Sequence, residues 1–209
     1  MHIAVIADEA QKTAWSARGF REGYSISWLS EPIETTDAEA DVYIDLLFNN
    51  DPQRLALLTA LLPKTVIVNS VTQTGADLPE NFIRLNGWPG FLQSEKTECC
   101  CSPLQEEKLK EIISVFNRTA CLVPDQPGFI TARVVAMIIN EAFWALDEGV
   151  STRPEIDIAM KTGTNYPFGP FEWCGMIGPE HVAGLLKRLT EINKRYQPAP
   201  GLIHETENL

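Results

Sequence analysis

Short runs rich in β-branched and aromatic residues recur along the first two-thirds of the chain, and helical patterns lie between them. These runs predict seven strands, at 2–7, 24–30, 41–48, 65–71, 82–88, 97–102 and 118–124. Residues 51–62 predict a helix, because Asp51 suits the N-cap and Pro52 the first helical position. Residues 103–117 predict another helix, with its apolar residues on one face. Strands that alternate with helices are typical of an α/β fold with a parallel sheet.

The pattern changes at Asp125, after which no further strand is predicted. Residues 128–148 predict one long amphipathic helix, which Gly149 ends. Its apolar positions recur every four residues, at Ile130, Val134, Ile138, Ala142 and Leu146. The remaining predicted elements are helices at 154–162 and 179–196, an ordered loop at 163–173 and a loose tail from Pro198. The pattern therefore predicts an α/β domain over 1–125 and a small all-α domain over 126–209.

Composition and charge narrow the class of protein. The 209 residues are 44% hydrophobic and 22% charged, which are ordinary globular values. A formal net charge of −11 predicts no general affinity for nucleic acid or for an anionic membrane. No apolar stretch approaches the roughly 20 residues that span a bilayer, and Asp8 and Glu9 interrupt the opening apolar run, so export is not expected.

The five cysteines predict a reduced, cytoplasmic protein, because they form no C-x-x-C pair that would indicate a disulfide framework or structural zinc. Three of them are consecutive, Cys99 to Cys101. Neighbouring side chains on a strand point to opposite faces, so these three cannot converge on one metal ion. A buried strand is the favoured interpretation, and no metal site is expected.

The turn after the first strand bears on cofactor binding. Dinucleotide sites need glycines there, so that the backbone can approach the pyrophosphate. This turn reads ADEAQKT, and it places Asp8 and Glu9 where a cofactor would bring negative phosphate. The sequence therefore predicts no cofactor. Glu31, just past the second strand, is a weak candidate for an acceptor of ribose hydroxyl groups; the alternative is an exposed loop carboxylate.

Residues 127–173 contain several ordered motifs. They are the PGFI opening, NEA at 140–142, EGV at 148–150, IDIAMK at 156–161 and YPFGPFEW at 166–173. Together these motifs resemble the C-terminal domain of the 3-hydroxyacyl-CoA dehydrogenase family. In the family this domain supplies the dimer interface and helps to close over acyl-CoA. The resemblance thus implies a homodimer through the helical domain and an acyl-CoA or another small molecule as ligand.

The resemblance also implies that the first domain is a shortened Rossmann-like domain. The helical hairpin that follows the second strand in the family is missing between Ser30 and Asp41. The family's catalytic histidine is matched by Asn86, and its partner glutamate, twelve residues later, by Glu98. An asparagine amide cannot act as a general base near neutral pH. The family's helper asparagine is matched by Ala132, and its serine-rich turn by 69–75.

Three hypotheses of function follow. The first is a dehydrogenase-like protein with weak or no activity and without a cofactor, which acts as a dimeric binding or accessory protein in acyl-CoA metabolism. The second is an active NAD-dependent 3-hydroxyacyl-CoA dehydrogenase that retains Glu98 and Glu31. The third is a different small-molecule enzyme on the same scaffold, built around Asn86 and Glu98.

Overall fold

A computed structural model describes residues 1–30 and 39–207 of the chain. The chain divides into two compact units, Met1–Phe129 and Ile130–Leu209. The first unit is built on a sheet and the second is entirely helical over its described residues.

A seven-stranded sheet forms the centre of the first unit. Its strands are β1 (His2–Ile6), β2 (Ser25–Leu29), β3 (Val42–Asp45), β4 (Thr65–Asn69), β5 (Ile83–Leu85), β6 (Lys96–Cys100) and β7 (Thr119–Leu122). They lie in the order β2-β1-β3-β4-β5-β6-β7. All seven predicted strands are present, although each is shorter than its hydrophobic run.

The sheet is parallel except at one pair, because β6 runs antiparallel to β5. A parallel neighbour needs a crossover connection of about a dozen or more residues, usually a helix. The short segment between Leu85 and Lys96 contains only turns, so the chain returns antiparallel. This reversal places Leu85 opposite Cys99 and, one step further, Asn86 opposite Glu98.

Among the described residues, three α-helices accompany the sheet: α1 (Glu9–Ser16), α2 (Pro52–Thr59) and α3 (Glu106–Val115). Asp51 caps α2 as predicted, since its carboxylate accepts hydrogen bonds from the amides of Gln53 and Arg54. The strands bury apolar side chains on both faces, as expected of a parallel sheet covered by helices. Cys99 is fully buried in β6, in agreement with the buried strand predicted there.

The second unit contains α4 (Thr131–Asp147), α5 (Arg153–Thr164), α6 (Pro170–Ile177), α7 (Pro179–Thr190) and α8 (Pro200–Glu207). Two predictions are wrong here. The predicted loop at 163–173 ends in the first turn of α6, and the predicted loose tail is the helix α8. Proline occupies the first position of both helices, which suits a helix start although it looks like a loop signal in the sequence.

Two polar side chains of α4 hold the C-terminal segment in place. The Asn140 amide donates to the carbonyl oxygen of Gln197 at 2.9 Å, and its oxygen accepts from the amide of Ala199 at 2.8 Å. Two turns later, Asp147 accepts from the amide of Gly201 at 2.8 Å. These bonds satisfy backbone groups at the start of α8, so the tail is ordered.

The buried face of α4 differs from the face that the four-residue spacing predicts. Four residues turn a helix by about 400°, so a row with this spacing drifts by about 40° per step. Ile130 and Val134 are 56% and 51% exposed, whereas Ala142 is only 6% exposed. The residues with this spacing therefore pass from the exposed side of α4 at its start to the buried side at Ala142. The residues that fill the core are Ala132, Val135, Ala136, Ile139, Ala142 and Phe143.

Candidate functional site

The strand order locates the candidate site at the carboxyl ends of the central strands. The chain passes from β1 to β2 on one side and to β3 on the other, so the order reverses between β1 and β3. In open α/β sheets, ligands bind in the crevice outside the carboxyl ends at such a reversal. Ala7 and Asp8 follow β1 at this edge, and Leu46 follows β3.

In the turn after β1, side chains of the turn accept hydrogen bonds from the turn's own backbone amides. Asp8 is the N-cap of α1, and its carboxylate accepts from the amide of Gln11 at 2.7 Å. The side-chain oxygen of Gln11 accepts in return from the amide of Asp8 at 3.2 Å. This capping box uses amides that a glycine-rich turn leaves for phosphate. The described residues of this turn therefore do not fit a pyrophosphate in the glycine-rich manner.

A chain of hydrogen bonds continues from this turn across the edge of the sheet. The carbonyl oxygen of Leu46 accepts from the side-chain amides of Gln11, at 2.9 Å, and of Asn69, at 3.1 Å. The oxygen of Asn69 accepts from the amide of Gly87 at 2.9 Å. A Cβ atom at Gly87 would lie 2.7 Å from Asn69 Cγ, so only glycine allows this close approach. The network joins the ends of β3, β4 and β5 to α1.

Asn86 and Glu98, the predicted catalytic pair, lie together at this edge. The amide Nδ2 of Asn86 donates to Glu98 Oε2 at 3.1 Å, and the Asn86 backbone amide donates to the Glu98 carbonyl at 3.0 Å. Asn86 is only 4% exposed, and its Oδ1 accepts from the amide of Trp88 at 3.3 Å. The pair can orient a polar ligand group, but Asn86 cannot accept its proton.

A buried arginine two residues before Asn86 was missed by sequence reasoning. Arg84 is buried in β5, where its guanidinium pairs with Asp125 and donates from Nε to the carbonyl oxygen of Ser70 at 3.1 Å. Asp125 also accepts from the amide of Gly75 at 2.8 Å. Burial lowers the pKa of Arg84, and the Asp125 carboxylate opposes that shift. The ion pair therefore holds both ends of the turn at 70–75, within the segment 69–75 that the sequence resemblance matched to the family's serine-rich turn.

The remaining predicted positions contribute less to this site. Glu31 lies outside the described residues. Ala132 is fully buried in α4 and offers no polar group. The half-buried Cys100 lies near Asp125, and burial raises the pKa of its thiol to about 11, which disfavours a reactive thiolate. Within residues 1–30 and 39–207, no group of three or more His, Cys, Asp and Glu side chains is arranged to hold a metal ion.

Comparison with known proteins locates the family signal in the helical unit. Residues 128–206 match the family model of the 3-hydroxyacyl-CoA dehydrogenase C-terminal domain. The chain is 42% identical over 84 residues to a 3-hydroxyadipyl-CoA dehydrogenase of Escherichia coli, which covers 39% of this chain and 18% of that protein. It is 29% identical over 164 residues to a 3-hydroxybutyryl-CoA dehydrogenase of Bradyrhizobium diazoefficiens, which covers 72% of this chain and 56% of the relative.

A solved structure extends the likeness to both units. The (S)-3-hydroxybutyryl-CoA dehydrogenase of Ralstonia eutropha superposes with a TM-score of 0.71 at 17% identity, over 97% of this chain and 92% of that chain. At that identity the match establishes the fold alone, a Rossmann-like domain followed by a helical domain. The chain spans from about a fifth to just over half of the length of the two curated relatives named above.

The comparisons overturn one prediction from the sequence. The expectation of no cofactor is wrong, because the proteins that this chain matches are dehydrogenases, oxidoreductases of a family that works with NAD. The absence of glycines after β1 was therefore an insufficient reason to exclude a cofactor.

Among the described residues, no helix has both the length and the apolar character needed to cross a membrane.

Proposed function

We propose that this chain, whose residues 128–206 match the C-terminal domain model of the 3-hydroxyacyl-CoA dehydrogenase family, is a weakly active dehydrogenase-like protein of acyl-CoA metabolism. Its ligands in this proposal are NAD(H) and a 3-hydroxyacyl-CoA thioester or the corresponding 3-ketoacyl thioester. The single observation that carries the proposal is the hydrogen-bonded pair Asn86–Glu98 at the edge of the sheet. It has the geometry of an acid–base pair, but an amide stands in the place of the base.

The two side chains have different tasks in this proposal. Glu98 accepts from the amide of Asn86 and so sets the direction in which Asn86 Oδ1 points. The Asn86 amide can hydrogen-bond a hydroxyl or carbonyl oxygen of the substrate, but it cannot move a proton. Bound NAD would supply the hydride acceptor. The loss of a general base lowers a rate by roughly 10²–10⁴-fold, and this loss is the reason for the weak activity.

In this proposal the protein is a homodimer located in the cytoplasm. Ile130 and Val134 support the dimer, because both are large apolar residues on α4 that remain more than half exposed. Apolar side chains clustered on one helix face commonly meet a partner. The cysteine pattern supports the location, because the five cysteines form no C-x-x-C pair that would indicate a disulfide framework.

Calorimetric titration of the purified chain with acetoacetyl-CoA and NADH, followed by a turnover assay with both, tests the proposed function. We expect binding of the thioester, together with slow oxidation of NADH that Glu98→Ala diminishes further. Absence of thioester binding would overturn the proposal. Rapid turnover that Asn86→Ala leaves unchanged would also overturn it, because the reacting groups would then lie elsewhere.

A further inference from the structure

The turn at 70–75 follows β4 at the carboxyl edge of the sheet and borders the candidate site. Strands β4 and β5 are parallel, and Asn69 at the end of β4 pairs with Leu85 at the end of β5. One step further along both strands, Ser70 therefore comes next to Asn86. The turn thus begins beside the residue to which the proposed function assigns a substrate oxygen.

Gln73, in the middle of this turn, has an oriented side-chain amide. Its Oε1 accepts a hydrogen bond from Ser70 Oγ at 2.6 Å. Ser70 is only 1% exposed, so the hydroxyl group that orients Gln73 is itself buried. Gln73 is half-buried, and within the described chain its Nε2 forms no hydrogen bond. An amide nitrogen that is oriented in this way can donate to an oxygen atom of a ligand.

Two charged residues outside the turn hold its two ends. The Nε of Arg84 donates to the carbonyl oxygen of Ser70 at 3.1 Å, and the guanidinium pairs with Asp125. The carboxylate of Asp125 accepts from the amide of Gly75 at 2.8 Å. Because Arg84 is only 1% exposed, water competes little for these bonds. The position of Gln73 therefore depends on the Arg84–Asp125 ion pair.

The segment that carries Asp125 is also held against the turn. The amide of Gly128 donates to the carbonyl oxygen of Val71 at 2.7 Å. The Cζ atom of Arg84 lies 4.6 Å from the centroid of the Phe129 ring. Phe129 has a φ of 49°, a left-handed conformation that bulky side chains rarely adopt. Surrounding contacts maintain such conformations, and these conformations cluster at functional sites.

We propose that Gln73 donates a hydrogen bond to the thioester carbonyl oxygen of the acyl ligand, and that Arg84 and Asp125 are positioning residues for this contact. A 3-ketoacyl thioester has two carbonyl oxygens, one on the ketone and one on the thioester. The proposed function assigns the ketone oxygen to Asn86, so the neighbouring donor meets the thioester oxygen. This inference rests on the proposed function and adds a preference for thioesters over ligands that lack this carbonyl group.

Calorimetric titration with two ligands tests the contact with Gln73. Acetoacetyl-CoA has the thioester carbonyl, whereas the thioether S-(3-oxobutyl)-CoA keeps the ketone and lacks that carbonyl. Gln73→Met should raise the dissociation constant of acetoacetyl-CoA about 2- to 10-fold, the usual effect of one hydrogen bond, and should leave that of the thioether unchanged. Gln53→Met is the control, because it makes the same change at an exposed position of α2 and should leave both constants unchanged.

A double-variant cycle tests the positioning role. Asp125→Ala removes the acceptor of the Gly75 amide, and it should weaken acetoacetyl-CoA binding about as much as Gln73→Met does. In a chain that already carries Gln73→Met, the same change should have little further effect on binding, because the contact is already lost. Asp125→Asn keeps an acceptor oxygen and should retain most of the binding. Circular dichroism verifies that each variant is folded, and the two-ligand comparison decides the contact even where Asp125→Ala does not fold.

The outcomes separate this inference from the proposed function. A native chain that binds neither ligand overturns the proposed function and this inference with it. Equal losses for the two ligands in Gln73→Met, or no loss for either, overturn the contact with the thioester carbonyl and leave the proposed function standing. Full additivity of Asp125→Ala and Gln73→Met overturns the positioning role.

Discussion

Asn86 differs from a histidine in one decisive property, because its amide neither gains nor loses a proton near neutral pH. Both side chains can hydrogen-bond the carboxylate of Glu98, and Asn86 does so at 3.1 Å. Both can also bind a substrate oxygen. An asparagine at this position therefore keeps the polar contacts of an acid–base pair but cannot transfer a proton.

Asn86→His should raise the rate of NADH-dependent reduction of acetoacetyl-CoA by roughly 10²–10⁴-fold, the usual contribution of a general base. The gain should depend on Glu98, so the double variant Asn86→His/Glu98→Gln should lose most of it. Steady-state kinetics at pH 7 measures both rates. Asn86→Gln is the control, since it keeps the amide without supplying a base. A gain in Asn86→Gln equal to that in Asn86→His would contradict the assigned role.

The sequence predicted this pair but not its surroundings. The resemblance to the family implied the pair Asn86 and Glu98, and the antiparallel return of β6 places the two residues opposite one another. The bonds from Gln11 and Asn69 meet on the backbone carbonyl of Leu46, so they depend on the order of the strands rather than on residue type. Arg84 was missed for a related reason, because its partner Asp125 is distant in sequence.

At the scale of elements, residues of the family motifs in the helical unit cap one helix and join it to its neighbour by hydrogen bonds and an ion pair. Asp157 of α5 is buried and accepts from the amide of Phe171 at 2.8 Å, at the start of α6. Gly169 permits this contact, because a Cβ atom there would lie 2.2 Å from the Asp157 carboxylate. Glu172 accepts from the amide of Gly169 at 2.8 Å and pairs with Lys161. These motifs therefore identify a scaffold, and not the reaction that it serves.

Asp157→Ala should destabilise the chain by about 1–3 kcal/mol, the cost of a buried amide that loses its acceptor at the start of a helix. Asp157→Asn keeps an acceptor oxygen and should cost less. Urea unfolding monitored by circular dichroism measures both differences. Equal losses in the two variants would show that the carboxylate has another role.

The ion pair between α5 and α8 should make part of the stability depend on pH. Arg153 binds Glu205 with Nη2 and Oε2 2.5 Å apart, and this hydrogen bond lowers the pKa of Glu205 below its ordinary value. A carboxyl group with a lowered pKa in the folded state stabilises that state at neutral pH. This contribution falls as the pH passes below the ordinary glutamate range.

Glu205→Gln should therefore cost about 0.2–1 kcal/mol at pH 7, a value for a solvent-exposed pair, and almost nothing at pH 3. Urea unfolding at the two pH values measures the difference. Glu22→Gln, at an exposed position of the first unit, is the control. A cost that is the same at both pH values would contradict an electrostatic origin.

Local sequence patterns predicted some helices and missed others, and α8 shows why. Residues 198–209 contain three of the usual loop or helix-end signals, two prolines and a glycine, so the sequence predicted a loose tail. In the structure Pro200 begins the helix, and Asp147 binds the amide of Gly201. The stabilising partner is on α4, more than fifty residues away, where no local pattern can indicate it. Helices with caps near in sequence, such as α2 with Asp51, were predicted correctly.

At the scale of the whole molecule, the exposed face of α4 should hold two chains together. The native chain should have a mass near twice 23.3 kDa by light scattering at micromolar concentration. Val134→Asp should reduce the mass towards that of one chain, because it places a carboxylate on the exposed apolar face of α4 without disturbing the core of the unit. Val150→Asp makes the same change at a residue that is 69% exposed beyond the end of α4, and it should leave the mass unchanged.

Ala142→Asp would be uninformative about assembly, because Ala142 lies in the core and its replacement should unfold the unit. A dimeric mass that persists in a folded Val134→Asp variant would place the interface on another surface.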